Sequence, residues 1–239
     1  PGDFVHNGYG RIHNNTLGLV TARFPVQRDA TQTEIKIKNC TIYAGWMESL
    51  PDFMEYDKCT FPVLSGGTAT IVDSVIQPGA TMGNGFYFYG CTFKNLDGSN
   101  SQILLNFNNI VEGVRVYENC KFLGTTATGN STFSALFRNC EFENLFIEAA
   151  VTPMSNNEKI VFENCTINSA ASRLIDVGPF TGSNGYVNLM LRKCAITHTG
   201  NKLYTITGTA TSGSQVVFDH CTVNKAIDTS LSPIVKVVN

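Results

Sequence analysis

All eight cysteines of this chain occur in one short phrase, and that phrase limits what the chain can become. They stand at positions 40, 59, 91, 120, 140, 165, 194 and 221. Three residues before each is a large apolar residue: Ile37, Tyr56, Phe88, Tyr117, Phe137, Phe162, Leu191 and Phe218. Two residues after each is another: Ile42, Phe61, Phe93, Phe122, Phe142, Ile167, Ile196 and Val223. The residue directly before is Asn39, Lys58, Gly90, Asn119, Asn139, Asn164, Lys193 or His220. Most of these are Asn or Gly, the types that best tolerate a left-handed backbone. The phrase therefore reads as a strand, a sharp corner, and a second strand that opens with Cys pointing inward and then alternates out and in. Such a corner turns the chain without reversing it into a hairpin.

The phrase recurs at intervals of 19 to 32 residues. Repeats of this length, built from short strands and corners, stack as a solenoid, because one repeat cannot bury its apolar face alone. Stacking in register, about 4.8 Å per coil, turns the Cys, Phe/Ile and Asn positions into ladders, and eight coils make a rod of roughly 38 Å. Two residues before the last five cysteines stand Glu118, Arg138, Glu163, Arg192 and Asp219. Their signs alternate, as charges facing each other on successive coils should. The 19- and 20-residue intervals leave little room for loops. The longer intervals read as coils carrying inserts at 65–68, 97–101 and 178–185.

Composition narrows the function classes. With 17 basic and 19 acidic residues the net charge is −2, and only 15% of residues are charged. That balance argues against a nucleic-acid partner. No apolar run approaches the roughly 20 residues of a membrane-spanning helix, so membrane insertion is not expected. There is no Cys-x-x-Cys pair, the four His follow no ligand spacing, and no phosphate loop or haem phrase occurs, so neither metal nor cofactor is expected. The cysteines read as free thiols acting as small hydrophobes, inert when buried and stacked side by side rather than bridged. Free thiols suit folding in a reducing cytosol. Residues 1–32 lack the phrase and read as an N-terminal coil or cap; 33–239 read as the repeat domain. The chain opens at Pro1-Gly2-Asp3 and stops at Lys236-Val237-Val238-Asn239, mid-strand by pattern, so a piece of something longer is expected.

The Asn-Cys-Thr-Phe/Ile phrase, with Asn at a tight corner, resembles the right-handed parallel β-helix (pectate-lyase-like) family over about residues 33–225, and is most like its phage tailspike and tail-fibre members. The resemblance implies an all-β fold: a right-handed parallel β-helix of about eight or more coils with inward Cys and Phe/Ile ladders. It implies a virion protein made in the bacterial cytoplasm, a parallel homotrimer, that recognises host cell-surface polysaccharide. The alternatives are a polysaccharide hydrolase or lyase on the same fold, and a purely structural stalk of a virion, a bacterial surface or a secreted protein.

Candidate site residues are few. Asp219-His220 resembles a stretch of pectate lyases, yet no Arg follows Arg192 to serve as the base those enzymes use. Glycosidases need two carboxyl groups about 5 to 9 Å apart. Glu141 and Glu143, two apart on a strand and so about 7 Å apart on one face, have that spacing. They also have a plain reading as solvated outward residues. Trp46 and Tyr43 could stack on a sugar, with Asp52 accepting hydroxyl bonds. Trp46, however, lies six after Cys40, where other coils carry Phe146 and Ile227, which fits a core position.

Overall fold

The computed structural model describes residues 11–13, 16–19, 35–39, 41–44, 54–64, 69–78, 86–96, 103–105, 114–128, 134–149, 159–178, 186–208 and 212–239. Alternate strands go to two parallel sheets. The first has eleven strands in chain order: Arg11–His13, Ile35–Lys38, Met54–Asp57, Thr70–Val72, Tyr87–Tyr89, Val114–Glu118, Ser134–Arg138, Ile160–Glu163, Asn188–Arg192, Gln215–Asp219 and Val235–Val238. The second stacks Thr16–Leu19, Thr41–Ala44, Thr60–Leu64, Val75–Pro78, Thr92–Phe93, Lys121–Thr128, Glu141–Ala149, Thr166–Ser169, Ala195–His198 and Thr222–Val223. One strand of each sheet per turn, always paired with the turn before and after, is a parallel β-helix. Eleven layers at about 4.8 Å span roughly 48 Å from first to last.

The cysteine phrase sets the register. Phe88 pairs with Tyr117, Tyr117 with Phe137, Phe137 with Phe162, Phe162 with Leu191 and Leu191 with Phe218. All eight residues before Cys have φ between 52° and 65°. The corner requires the left-handed region so firmly that Lys58, Lys193 and His220 accept it, although a side chain there costs about 1–2 kcal/mol. Asn164 gains something in return, because its amide donates to Asn139 Oδ1 of the neighbouring coil at 2.7 Å.

The interval from Cys59 to Cys91 departs from expectation. It holds two coils, not one coil with an insert. A ninth corner stands at Asp73 (φ 45°), between strands Thr70–Val72 and Val75–Pro78. Ile71 and Ile76 keep the apolar pattern, but Ser74 takes the Cys position, so a register keyed on sulfur passes over it. Ser74 is 1% exposed. It stays satisfied because its hydroxyl donates to Val72 O (2.7 Å) and accepts from the Cys59 N–H (2.9 Å). Residues 65–68 lie outside the described residues.

A third stretch of pairing closes the coil. Lys121–Thr128 and Glu141–Ala149 run past the second sheet, and their far halves pair with Ile103–Leu105 and with Arg173–Val177, which in turn pairs with Lys202–Ile206. Its inward side chains, among them Leu105, Leu145, Ile147, Leu174, Ile175 and Leu203, are buried.

The interior holds two stacks of rings. On one, Tyr117, Phe137 and Phe162 lie 4.6 and 4.7 Å apart with planes within 9°. On the other, Phe93, Phe122 and Phe142 lie 4.7 and 4.5 Å apart. The two stacks meet edge to face, as at Phe137 and Phe142 (5.6 Å, 69°), the geometry that ring quadrupoles favour. Beside them runs the sulfur column. Seven cysteines are described, all unbridged. From Cys91 onward each thiol donates to the carbonyl two residues before the corner of the preceding coil: Cys140 to Tyr117 O, Cys165 to Phe137 O, Cys194 to Phe162 O, at 3.4 to 3.5 Å. The thiol of the preceding coil, and then burial, push Cys165 and Cys194 up to about 12, so these sulfurs stay protonated and inert.

Candidate functional site

The β-helix has two long outer faces of unlike chemistry. On the second sheet, the first residue after each corner cysteine points out: Thr60, Thr92, Lys121, Glu141, Thr166, Ala195 and Thr222. Two residues on, Leu123, Glu143, Asn168, Thr197 and Asn224 are all exposed. Hydroxyls, amides and carboxylates therefore recur at coil spacing along this face. On the first sheet, the column two before each corner cysteine carries the alternating charges. Arg138 reaches Glu163 at 3.1 Å and Glu118 at 4.0 Å; Arg192 reaches Asp219 at 2.7 Å and Glu163 at 3.9 Å. Near the other end Lys38 pairs with Asp57 in the same column. Tyr87 donates to Glu118 at 2.6 Å.

The strand Glu141–Ala149 brings Glu141 and Glu143 to the polar face, both exposed. Each carboxylate has a partner. Glu141 pairs with Lys121 one coil away at 3.1 Å. Glu143 accepts the Gly124 N–H at 2.5 Å, at a bulge where Gly124 has φ 94°. Tyr43 lies in the strand Thr41–Ala44, in register with Val63. Trp46 and Asp52 lie outside the described residues. Asp219 closes the charge column and lies 2.5 Å from His220 Nδ1. His220, and then Arg192, hold the Asp219 carboxyl below its ordinary value. The coil itself supplies a reason for both: Asp219 ends the ladder, and His220 fills the left-handed corner.

Asn144 and Asn224 knit the second sheet where it bends. Asn144 donates to Thr125 Oγ1 (3.0 Å) and accepts from the Ala170 N–H (2.8 Å). Asn224 accepts from the His198 N–H (2.9 Å) and donates to His198 O (3.2 Å). Among the described residues no cluster of three or more His, Cys, Asp or Glu could hold a metal ion, and no helix is long and apolar enough to cross a membrane.

Arg115 and His198 are the largest of the buried polar residues among those described, and nothing chemical in the sequence singled them out. Arg115 is 1% exposed in an inward column whose later members are Ala135, Ile160, Leu189 and Val216. Burial lowers its guanidinium to about 10, so it stays cationic at neutral pH. Alternation from Tyr117 puts Arg115 on the inward side, but a single charged residue is a weak signal in an apolar column. His198 is fully buried four residues after Cys194, stacked on Ser169. Neither ring nitrogen has a hydrogen-bond partner. Burial pulls its pKa below the ordinary value, with the Lys225 charge adding; the Lys202 and Ser169 backbones offset part of this without reaching hydrogen-bond geometry. The signal was the inward register four after Cys, which places His198 in the core.

His198 gives the fold an acid-sensitive window. The folded state disfavours the imidazolium and the unfolded state takes up the proton near pH 6.5, so the unfolded chain binds more protons just below that pH. The stability from neutral His198 is fully present above pH 6.5 and is lost as pH falls toward the depressed folded value. The melting temperature is expected to drop between pH 7.5 and 5, and His198→Leu to flatten that slope. An unchanged slope in the variant would remove His198 as the cause. Asp219 and Asp228, whose pKa values are also lowered, act in a separate window below about pH 4.

No protein family, curated protein or solved structure matches this chain.

Proposed function

We propose that this β-helix is the body of a phage tailspike- or tail-fibre-type virion protein of the pectate-lyase-like family, and that its polar outer face recognises polysaccharide on a bacterial host. The observation that carries the reading is the row of exposed Thr166, Asn168, Thr197, Thr222 and Asn224, recurring at about 4.8 Å steps on a stiff scaffold. A chain of sugars is also a periodic row of hydroxyls, and neutral hydrogen-bonding groups suit it. Trp46, Tyr43 and Asp52 are proposed to add ring stacking and a hydroxyl acceptor. Each site would be weak, so the display of several copies would supply the avidity. Unbridged thiols fit folding in a bacterial cytoplasm before assembly.

The test is a glycan array of bacterial capsule and O-antigen polysaccharides, probed with the protein displayed multivalently. Binding to a subset of them, lost when Thr166, Asn168 and Thr197 are all changed to Ala, is the expected result. Absence of binding to every polysaccharide would favour a structural stalk. The enzyme reading rests on the spacing of Glu141 and Glu143. It predicts new reducing ends or unsaturated sugar on incubation with a bound polysaccharide, abolished by Glu141→Gln or Glu143→Gln. Intact binding without cleavage would remove it.

A further inference from the structure

Outward charges on the first sheet alternate in sign from coil to coil, and on the second sheet Lys121 faces Glu141 in the same way. Past the bend that ends the second sheet this matching breaks down. Arg173 and Lys202 stand directly opposite each other on paired strands of neighbouring coils. Like charges so placed are destabilising. Both side chains reach solvent: Lys202 is exposed, and the Arg173 side chain is 40% exposed. Asp176 takes Arg173 Nη2, while the buried Nε finds no acceptor. A third cation arrives from the next coil, where Lys225 Nζ donates to Gly200 O, two residues before Lys202. Neither Lys202 nor Lys225 has a carboxylate partner among the described residues. The coils of Cys165, Cys194 and Cys221 thus each bring one cation to the same corner.

The acids around the corner are occupied or distant. Asp176 is held by Arg173. The Asp228 carboxylate accepts from the Ser230 N–H at 3.0 Å and from its hydroxyl at 2.6 Å. Glu148 is in register with Asp176, so it lies two coils from Lys202, about 10 Å. That exceeds the roughly 8 Å over which salt screens exposed charges. Glu141 and Glu143 share the coil of Glu148. Acidic groups therefore gather on the coil of Cys140, and the three coils after it carry the uncompensated cations. Those three coils are also the ones that hold Thr166, Asn168, Thr197, Thr222 and Asn224. Exposed Ser172, Thr199 and Asn201 carry the polar row round the bend to the cations.

We infer that the polymer taken by the polar face is an acidic polysaccharide, and that Arg173, Lys202 and Lys225 hold its anionic group, a carboxylate or a phosphodiester. The inference rests on the polysaccharide reading above and names the class of sugar. The hydroxyls and amides of the row meet sugar hydroxyls, and the anion settles at the end of the row, where a guanidinium and two ammonium groups supply charge-assisted donors. An anion between Arg173 and Lys202 also removes the repulsion that the coil otherwise bears. Glu141 and Glu143 repel the same polymer from the preceding coil, so its charged groups are confined to the last three coils of the row.

The test sorts an array of bacterial polysaccharides into uronate-bearing, phosphodiester-bearing and neutral polymers, and probes it with the multivalent parent and with Lys202→Glu. The parent should bind within the two acidic classes, less tightly as salt rises. The class it binds identifies the anion, and reduction of the carboxyls to alcohols should abolish binding to a uronate polymer. Lys202→Glu should weaken binding roughly tenfold or more. It also sets a carboxylate opposite Arg173, so its melting temperature should equal or exceed that of the parent. Loss of binding without loss of stability is what a merely structural lysine would not give. Binding to neutral polymers alone, or undiminished binding by Lys202→Glu, would overturn the inference. If that neutral binding is lost when Thr166, Asn168 and Thr197 are changed to Ala, the polar-face reading survives. Absence of binding to every polymer would overturn both.

Discussion

Phe137→Ala is expected to lower the unfolding free energy by about 4 kcal/mol, the middle of the range for deleting a buried ring. Phe137 is fully buried and is enclosed by four others: Tyr117 and Phe162 stack on it at 4.6 and 4.7 Å, and Phe122 and Phe142 meet it edge to face at 5.9 and 5.6 Å. The neighbours cannot close the void, because each is fixed by its own strand register. Phe162→Ala should cost less, since its ring contacts are Phe137 and Phe142. In a solenoid each coil leans on its neighbours alone. Amide exchange should therefore accelerate first at the coils of Tyr117, Phe137 and Phe162, with distant coils still protected. Arg138→Glu is the control. It replaces a half-exposed cation between Glu118 and Glu163, and exposed pairs are worth about 0 to 1 kcal/mol. Equal effects of the two substitutions in denaturant melts would mean that rings do not hold the stack.

The corner column gives the second large effect, and there the sign depends on the residue. Asn164→Val should destabilise by about 2 to 3 kcal/mol. A β-branched side chain at φ 54° pays the left-handed penalty of about 1–2 kcal/mol, and the 2.7 Å bond to Asn139 adds about 1 kcal/mol. Lys193→Gly should act the other way. Lys193 sits at φ 52° with an exposed side chain; glycine relieves the strain at some cost in unfolded-chain entropy, for a net gain of up to about 1 kcal/mol. Urea midpoints of the two variants should therefore move in opposite directions from the parent. Movement in the same direction would mean that the corner is not what constrains these positions.

These sites were unequally legible in the sequence. The phrase around Cys40 to Cys221 marked the corners, the inward ring ladders and the alternating charge column, because each depends on residue type at a fixed offset from one recognisable atom. The coil at Ser74 escaped for the same reason: with oxygen in place of sulfur the marker vanished, though the backbone repeat did not. Glu141 and Glu143 could be placed on one outward face by alternation alone. Their partners could not, since Lys121 and Gly124 come from another coil and the Gly124 contact needs a bulge that no pattern announces. The buried states of His198 and Arg115 were hidden too, because polarity at one position is a weak signal against an apolar column.

The sequence by itself determined the period, the left-handed corner and which side of each strand faces in, because these follow from local backbone sterics and from alternation along a single strand. Only the tertiary structure decided the number of coils, the third stretch of pairing, the partners of each carboxylate and the unlike chemistry of the two outer faces. Those properties belong to columns that run across the strands. A column joins residues 14 to 29 positions apart, and its chemistry exists only once the register between coils is fixed.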